Sequence, residues 1–192
     1  GLKAVDLARA HKPDLIIIDP RAIELCEFAT LHLQLHAGTN VVLFNALGAV
    51  IVEEGLVDEE FIRTRLTEFD EYRDFIRQFV PEKVEKITWA PATAVRSLAR
   101  QIAANMERTL FVMGMGPNQF FNSDLKDRAI FLVASLTRNV GRIGGNVGSY
   151  SGNYRGSFFN GLGQYIGENP FDVELDPSVP ARRRTYWKPE SV

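Results

Sequence analysis

Three short runs combine tight backbone with polar groups suited to holding a nucleotide-like ligand. They are Asp19-Pro20-Arg21, Gly38-Thr39-Asn40, and Gly114-Met115-Gly116 with Gln119. A carboxylate such as Asp19 accepts from the N–H groups of a guanine edge, and Arg21 offers a planar, permanently charged fork to a phosphate or an exocyclic oxygen. Thr39 and Asn40 stand where a helix begins, which suits phosphate, ribose or base. Glycines at 114 and 116 let a flat ring or a phosphate approach the backbone with no Cβ in the way. Each run also has an ordinary reading, as a turn, a helix cap and a second turn. Their succession at three strand ends is the stronger signal, because open α/β sheets bind ligands beyond the carboxyl ends of their strands.

A second candidate is the run RIGGNVGSYSGNYRG, residues 142–156. Residues 141–163 hold eight of the chain's 15 glycines, together with Asn146, Asn153 and Asn160. A long loop without regular structure in a compact domain is functional or disordered. Tyr150, Tyr154, Phe158 and Phe159 argue against disorder, since such segments are poor in aromatics. The loop could wrap a large, flat, anionic ligand, with Arg155 and the asparagines as polar contacts. The other reading is a structural loop packed on another part of a larger protein.

Other chemistries are missing from the sequence. It offers no general acid–base pair, no nucleophile beside a base and no metal-ligand cluster. Cys26 is the single cysteine; it reads as a small core thiol and cannot build a disulfide or a thiolate metal site alone. His11, His32 and His36 fall in no ligand spacing. Redox chemistry, if present, therefore belongs to a cofactor. The net charge of −2 gives no basic surface for nucleic acid or membrane. No apolar run reaches the roughly 20 residues of a membrane span, and no signal peptide opens the chain. The chain lacks an initiator Met, starts within a helical pattern and ends on a polar segment, so it reads as an internal piece of a longer protein whose targeting region is missing.

The elements that must position these residues follow from periodicity. A helix tail over 2–10 is closed by Pro13. The run LIIID, 15–19, predicts a strand buried on both faces, and HLQLH, 32–36, an alternating strand. A short helix over 22–28 lies between them. Thr39 or Asn40 caps a helix over 41–54, apolar nearly all round and therefore buried, with Gly55 at its C′ position. Asp58 opens another helix. Phe69, Tyr72, Phe75, Ile76 and Phe79 share one face of a helix over 68–79 and read as core. Helices over 81–87 and 91–105 begin at prolines. A strand over 109–113 and a helix over about 124–139 follow. This alternation predicts an α/β fold, a mainly parallel sheet with flanking helices over residues 1–140, then a glycine-rich irregular segment over 141–192.

The quoted runs resemble a known family. IIIDPRAIELCEFATLHLQLHAGTNVVLFNALGAVIVEEGLVDEEFI is similar to the segment VVDPR…T…AD.HL...PGTD of the molybdopterin oxidoreductase (dimethyl-sulfoxide-reductase) superfamily. LFVMGMGPNQF followed by LTRNVGRIGGNVG resembles its GMG..Q…L.GN.G pattern. The resemblance implies α/β domains that bind a molybdenum bis(molybdopterin guanine dinucleotide) cofactor. It assigns Asp19 and Arg21 to a guanine dinucleotide arm, and Gly38, Thr39 and Asn40 to the guanosine. Asn40 stands where an Asp is usual, which removes a charge-assisted bond. Gly114, Met115, Gly116 and Gln119 match the turn beside the cofactor, and Arg155 a cofactor-side or active-site arginine.

The tail from Gly144 is similar to the catalytic alpha subunit of the nitrite oxidoreductase branch. That implies two-electron oxidation of nitrite to nitrate with water-derived oxygen. Formate dehydrogenase and the nitrate, chlorate and selenate reductases are alternatives, and a non-catalytic α/β scaffold or binding module is an alternative of another class. The resemblance further implies an iron–sulfur cluster in the full-length subunit, with ligands outside this chain. The partners it implies are an iron–sulfur beta subunit, a membrane-anchor or haem gamma subunit and a small oxyanion substrate, with no nucleic acid. It also implies a periplasmic or membrane-associated location, and no activity of this piece alone.

Overall fold

The structure, a computed structural model, describes residues 10, 13–114, 116–120 and 124–149. They belong to one compact unit, Gly1–Ser149; a second unit, Tyr150–Val192, lies outside the described residues.

Isoleucines favour extended backbone because two heavy atoms on Cβ restrict the side chain and pack well on a pleated surface. β1 (Ile16–Ile18) pairs in parallel with β2 (Leu31–Leu33), in the register Ile17↔His32. The link between them is a 3-10 turn, Glu24–Phe28, where the sequence suggests a short helix. Cys26 lies in this turn half-buried and outside the core, because a single 3-10 turn has no inward face long enough to bury it.

Six helices follow β2 among the described residues: α1 (Asn40–Glu53), α2 (Glu59–Arg65), α3 (Phe69–Ile76), α4 (Pro81–Thr88), α5 (Ala92–Ala104) and, after β3 (Leu110–Met113) and a 3-10 turn (Gly116–Gln119), α6 (Asp124–Leu136). β4 (Asn146–Ser149) closes the series and pairs in parallel with β3, Leu110↔Asn146 to Met113↔Ser149. The fold is α/β with parallel pairing and flanking helices, as the alternation predicts. Its strands form two separate pairs, β1–β2 and β3–β4. β4 lies in the segment that reads as irregular, and its pairing is set by β3, whose residues precede their partners by 36 positions (146 against 110), rather than by local propensity.

α1 is the centre of the core. Leu43 to Ile51 are all buried, and α4, α5 and α6 pack around them. Leu47, Val50 and Ile51 meet Val95 and Leu98 of α5 and Val133 and Leu136 of α6 in one cluster. Burying each such side chain contributes about 1.5–3 kcal/mol. α1 stops where Gly55 turns left-handed at φ +67. Gly55 then donates to Val52 O, and Leu56 to Ile51 O, which satisfies two end carbonyls.

The expectation that all five apolar residues of 68–79 are core needs one correction. Ile76 is buried and Phe69, Tyr72 and Phe79 pack against the core, but Phe75 is 52% exposed. At 100° per residue Phe75 falls at the edge of the apolar arc, where it covers Phe79 with ring centroids 5.4 Å apart.

Candidate cofactor-binding site

The first turn leaves β1 at Asp19. The Asp19 carboxylate accepts from the Arg21 backbone N–H at 2.8 Å, which fixes the turn. The Arg21 guanidinium is 81% exposed and 3.9 Å from the same oxygen, a distance at which an exposed pair contributes little. Two side chains of the β2 segment hold the turn from its other side. His32 Nε2 donates to Asp19 O at 3.0 Å, and Gln34 Nε2 donates to Pro20 O at 2.9 Å. A carbonyl only accepts, so Nε2 is the donor in this contact.

The second turn follows β2. His36 donates its backbone N–H to Thr88 O at 2.7 Å, which ties the turn to the end of α4. Gly38 takes φ +86, a left-handed conformation that glycine adopts without a Cβ penalty. Thr39 occupies the N-cap position of α1, yet its side chain makes no cap hydrogen bond. The hydroxyl instead donates to His36 O at 2.6 Å. The expected side-chain cap is therefore absent, because the carbonyl behind Thr39 competes for the hydroxyl. The first turn of α1 also holds no acidic residue. Its N–H groups and the positive end of the helix dipole thus have no acceptor from the Thr39 side chain and no acid within the first turn itself.

The third turn follows β3. Gly114 and Gly116 are exposed, and a Cβ built on either would meet no atom of the described residues within 4 Å. Gln119 is exposed in the 3-10 turn. Phe120 closes the turn and approaches Gly38 so nearly that a Cβ there would stand 2.8 Å from its ring. Turns one and two are thus joined through the β2 segment, and turns two and three through Phe120. Met115 and Arg155 lie outside the described residues.

Sequence reasoning missed His32, Gln34, Trp89 and Phe120. The signal for the first two was present in HLQLH: its buried leucines alternate with His32, Gln34 and His36 on the opposite face. Trp89 gives no such signal, since only its backbone angle, φ +66, marks it as unusual. Among the described residues no group of three or more His, Cys, Asp or Glu could hold a metal ion, and no helix is long and apolar enough to cross a membrane.

Residues 3–186 match the family model described as molybdopterin oxidoreductase. The chain belongs to the molybdopterin oxidoreductase family. It is 37% identical over 135 residues to formate dehydrogenase H of Escherichia coli (strain K12), covering 70% of this chain and 19% of the relative. It is 33% identical over 134 residues to a nitrate reductase of Symbiobacterium thermophilum, covering 66% of this chain and 18% of the relative. Three further relatives are alpha subunits of F420-dependent formate dehydrogenases by name. Among solved structures, acetylene hydratase from Pelobacter acetylenicus superposes with a TM-score of 0.66 at 26% identity, over 71% of this chain and 19% of that one. The chain therefore spans about a fifth of the length of these relatives. The family is one of enzymes, and membership implies a molybdenum–molybdopterin cofactor.

Proposed function

We propose that this chain is part of the cofactor cradle of a larger catalytic subunit, and that its three strand-end turns hold a guanine dinucleotide arm of the molybdopterin. The observation that carries the reading is the start of α1. A helix N-terminus with no side-chain cap and no acid in its first turn, preceded by a left-handed glycine, is arranged for an anionic group. Among the described residues the space above Gly114 and Gly116 is open, which leaves room for the body of the ligand beside it, so the residues present fit the group.

In this reading Thr39 and Asn40, with the N–H groups behind them, take the nucleotide, and Gly38 keeps the approach clear. Asp19 accepts from the base edge, and exposed Arg21 pairs with a phosphate or exocyclic oxygen. Gly114, Gly116 and Gln119 line the side toward the pterin; the resemblance assigns Met115 and Arg155 to the cofactor as well, and both lie outside the described residues. The bound molybdenum supplies the two-electron redox chemistry; this chain's residues bind and orient.

For the whole subunit we propose oxidation of nitrite to nitrate, in which water supplies one oxygen and two protons and two electrons leave. The reading rests on the resemblance of the tail beyond Gly144. The electrons pass to iron–sulfur clusters of the full-length subunit and a beta subunit, with a membrane-anchor or haem gamma subunit beyond, in a periplasmic or membrane-associated complex. A second reading, formate oxidation, is favoured by the 37% identity to formate dehydrogenase H.

The test uses the complete subunit purified from its source. Molybdenum is measured by mass spectrometry and guanine nucleotide by release on acid treatment. Dye reduction is then followed with nitrite and with formate. Two guanine nucleotides per molybdenum and nitrite-dependent reduction are expected. Formate-dependent reduction alone replaces the substrate with the second reading. A subunit with neither molybdenum nor guanine overturns the cradle itself and leaves a scaffold.

A further inference from the structure

Trp89 is a large aromatic residue in a place the fold does not require it. It follows α4 as the C-cap residue at φ +66, ψ −1, in the left-handed region. That conformation suits glycine, and holding any other residue there costs roughly 1 kcal/mol or more. Its side chain is 65% exposed. A glycine would make the same turn without strain and without leaving an indole in water. Strain of this kind persists where the surroundings over-determine it, and it clusters at functional sites.

The surroundings do over-determine it. The Trp89 N–H donates to Glu85 O at 2.8 Å. On one side, buried Thr88 donates its hydroxyl to Val84 O at 3.0 Å and accepts from the Ala90 N–H at 3.2 Å. The Thr88 carbonyl accepts from the His36 N–H at 2.7 Å. The indole lies against the His36 ring, centroids 4.5 Å apart and tilted by 44°. Two aromatic rings on a pinned backbone thus face solvent, three residues before Thr39.

We infer that Trp89 and His36 form a stacking face for the purine base of the nucleotide held at Thr39 and Asn40. The inference rests on the proposed cradle and adds what the three turns lack, a flat apolar surface for the base. An exposed aromatic stacks a base through its π-face, whatever its edge pattern, and the turn's polar groups then supply the orientation. The backbone beneath the indole is held and the His36 ring packs against it, which lowers the side-chain entropy lost on stacking.

The test uses guanosine diphosphate and the chain carrying Trp187→Phe, which leaves Trp89 as the only indole. Binding is measured by ligand-detected NMR and, in parallel, by indole fluorescence. Saturable quenching with the same dissociation constant by both methods is expected. Trp89→Gly suits φ +66, so it should keep the far-UV circular dichroism spectrum and hold or raise the unfolding midpoint while weakening guanosine diphosphate on the order of tenfold. His36→Ala should weaken it by a smaller factor. Binding seen by NMR with unquenched fluorescence and an unchanged constant in Trp89→Gly overturns the stacking face and leaves the cradle standing. No binding by either method in a folded chain overturns the cradle reading, and the stacking face with it.

Discussion

The Phe120 ring sits on the bare backbone of Gly38. A Cβ at Gly38 would stand 2.8 Å from Phe120 Cδ1 and 3.1 Å from Cε1, and the residue is at φ +86. Two demands therefore meet at one position: a left-handed turn, and contact with an aromatic ring from the turn after β3. Gly38→Ala violates both. The variant should lose about 1–2 kcal/mol, most of it from the backbone. Phe120→Ala in the same chain should recover only the steric part. Urea midpoints for the two single variants and the double variant measure that split. Full recovery in the double variant would show that the left-handed backbone is not a requirement.

Gly48 and Tyr72 form a similar pair inside the core. Gly48 lies in the buried stretch of α1, and a Cβ there would fall 2.5 Å from the Tyr72 hydroxyl oxygen. The glycine is a slot for the end of the tyrosine ring. Gly48→Ala normally favours a helix by about 1 kcal/mol. Here overpacking of about 1–3 kcal/mol opposes that gain, so the net change should be destabilising. Tyr72→Phe removes the clashing oxygen, and in its background Gly48→Ala should become neutral or stabilising. Thermal unfolding of the four chains reads the sign reversal. Destabilisation of equal size in both backgrounds would assign the glycine to another constraint.

An ion pair joins the end of α1 to α5. Arg100 donates to both Glu54 oxygens, at 2.8 and 2.9 Å. This hydrogen bonding holds the Glu54 carboxyl below its ordinary 4.5. Burial opposes the shift, and the charges of Arg100 and Arg96 add to it. A carboxyl lowered on folding contributes stability above its unfolded value and loses it as pH falls through its folded value. The contribution should therefore be complete near pH 6 and decline from about pH 4.5 downward. The pair is partly exposed, with side-chain exposures of 58% and 25%, so the amount is only about 0.5 kcal/mol. Glu54→Gln should lower the urea midpoint at pH 6 and converge with the parent chain near pH 3. A constant difference between the two across that range contradicts the assignment.

The legible features were those written in local chemistry. Pro81 at the start of α4, Asp58 accepting from the Phe61 N–H at 2.7 Å, and Gly55 after α1 stand where residue type alone puts them. The buried character of α1 and the three strand-end turns were also readable from apolar runs and turn residues. What the sequence hid are conformations that residue type disfavours. Glu68, Trp89, Glu107 and Arg138 all have positive φ, and none is a glycine. α6 stops three residues short of its expected end because Arg138 turns left-handed there, with Asn139 N–H donating to Ala134 O. The guanidinium bonds to Glu107 and Asp58 that hold Arg138 come from 31 and 80 residues away. β4 was hidden for the same reason, since Gly148 weakens local propensity and β3 imposes the pairing. Partners distant in sequence leave no mark in a single chain's periodicity.

Asn139 joins both halves of the β3–β4 pair to the end of α6. Its side chain is fully buried. Oδ1 accepts from the Thr109 N–H at 3.0 Å, just before β3. Nδ2 donates to Thr137 Oγ1 at 2.8 Å, and that hydroxyl donates to Val133 O at 2.9 Å. Gly145, just before β4, lies so close that a Cβ would be 2.9 Å from Asn139 Oδ1 and 2.9 Å from Glu107 O. Asn139→Ala leaves the Thr109 N–H without an acceptor in a half-buried site and should cost about 1–3 kcal/mol. Gly145→Ala pushes on backbone as well as on the asparagine, so no rotation relieves it, and it should cost about as much. The two side chains would then touch the same atoms, so the double variant should fall short of the sum of the single losses. Hydrogen exchange localises the effect: amides of Leu110–Met113 should exchange faster in both variants, while those of α1 keep their protection relative to global unfolding. Uniform loss of protection across α1 and β3 would show instead that Asn139 supports the whole core rather than the strand pair beside the third turn.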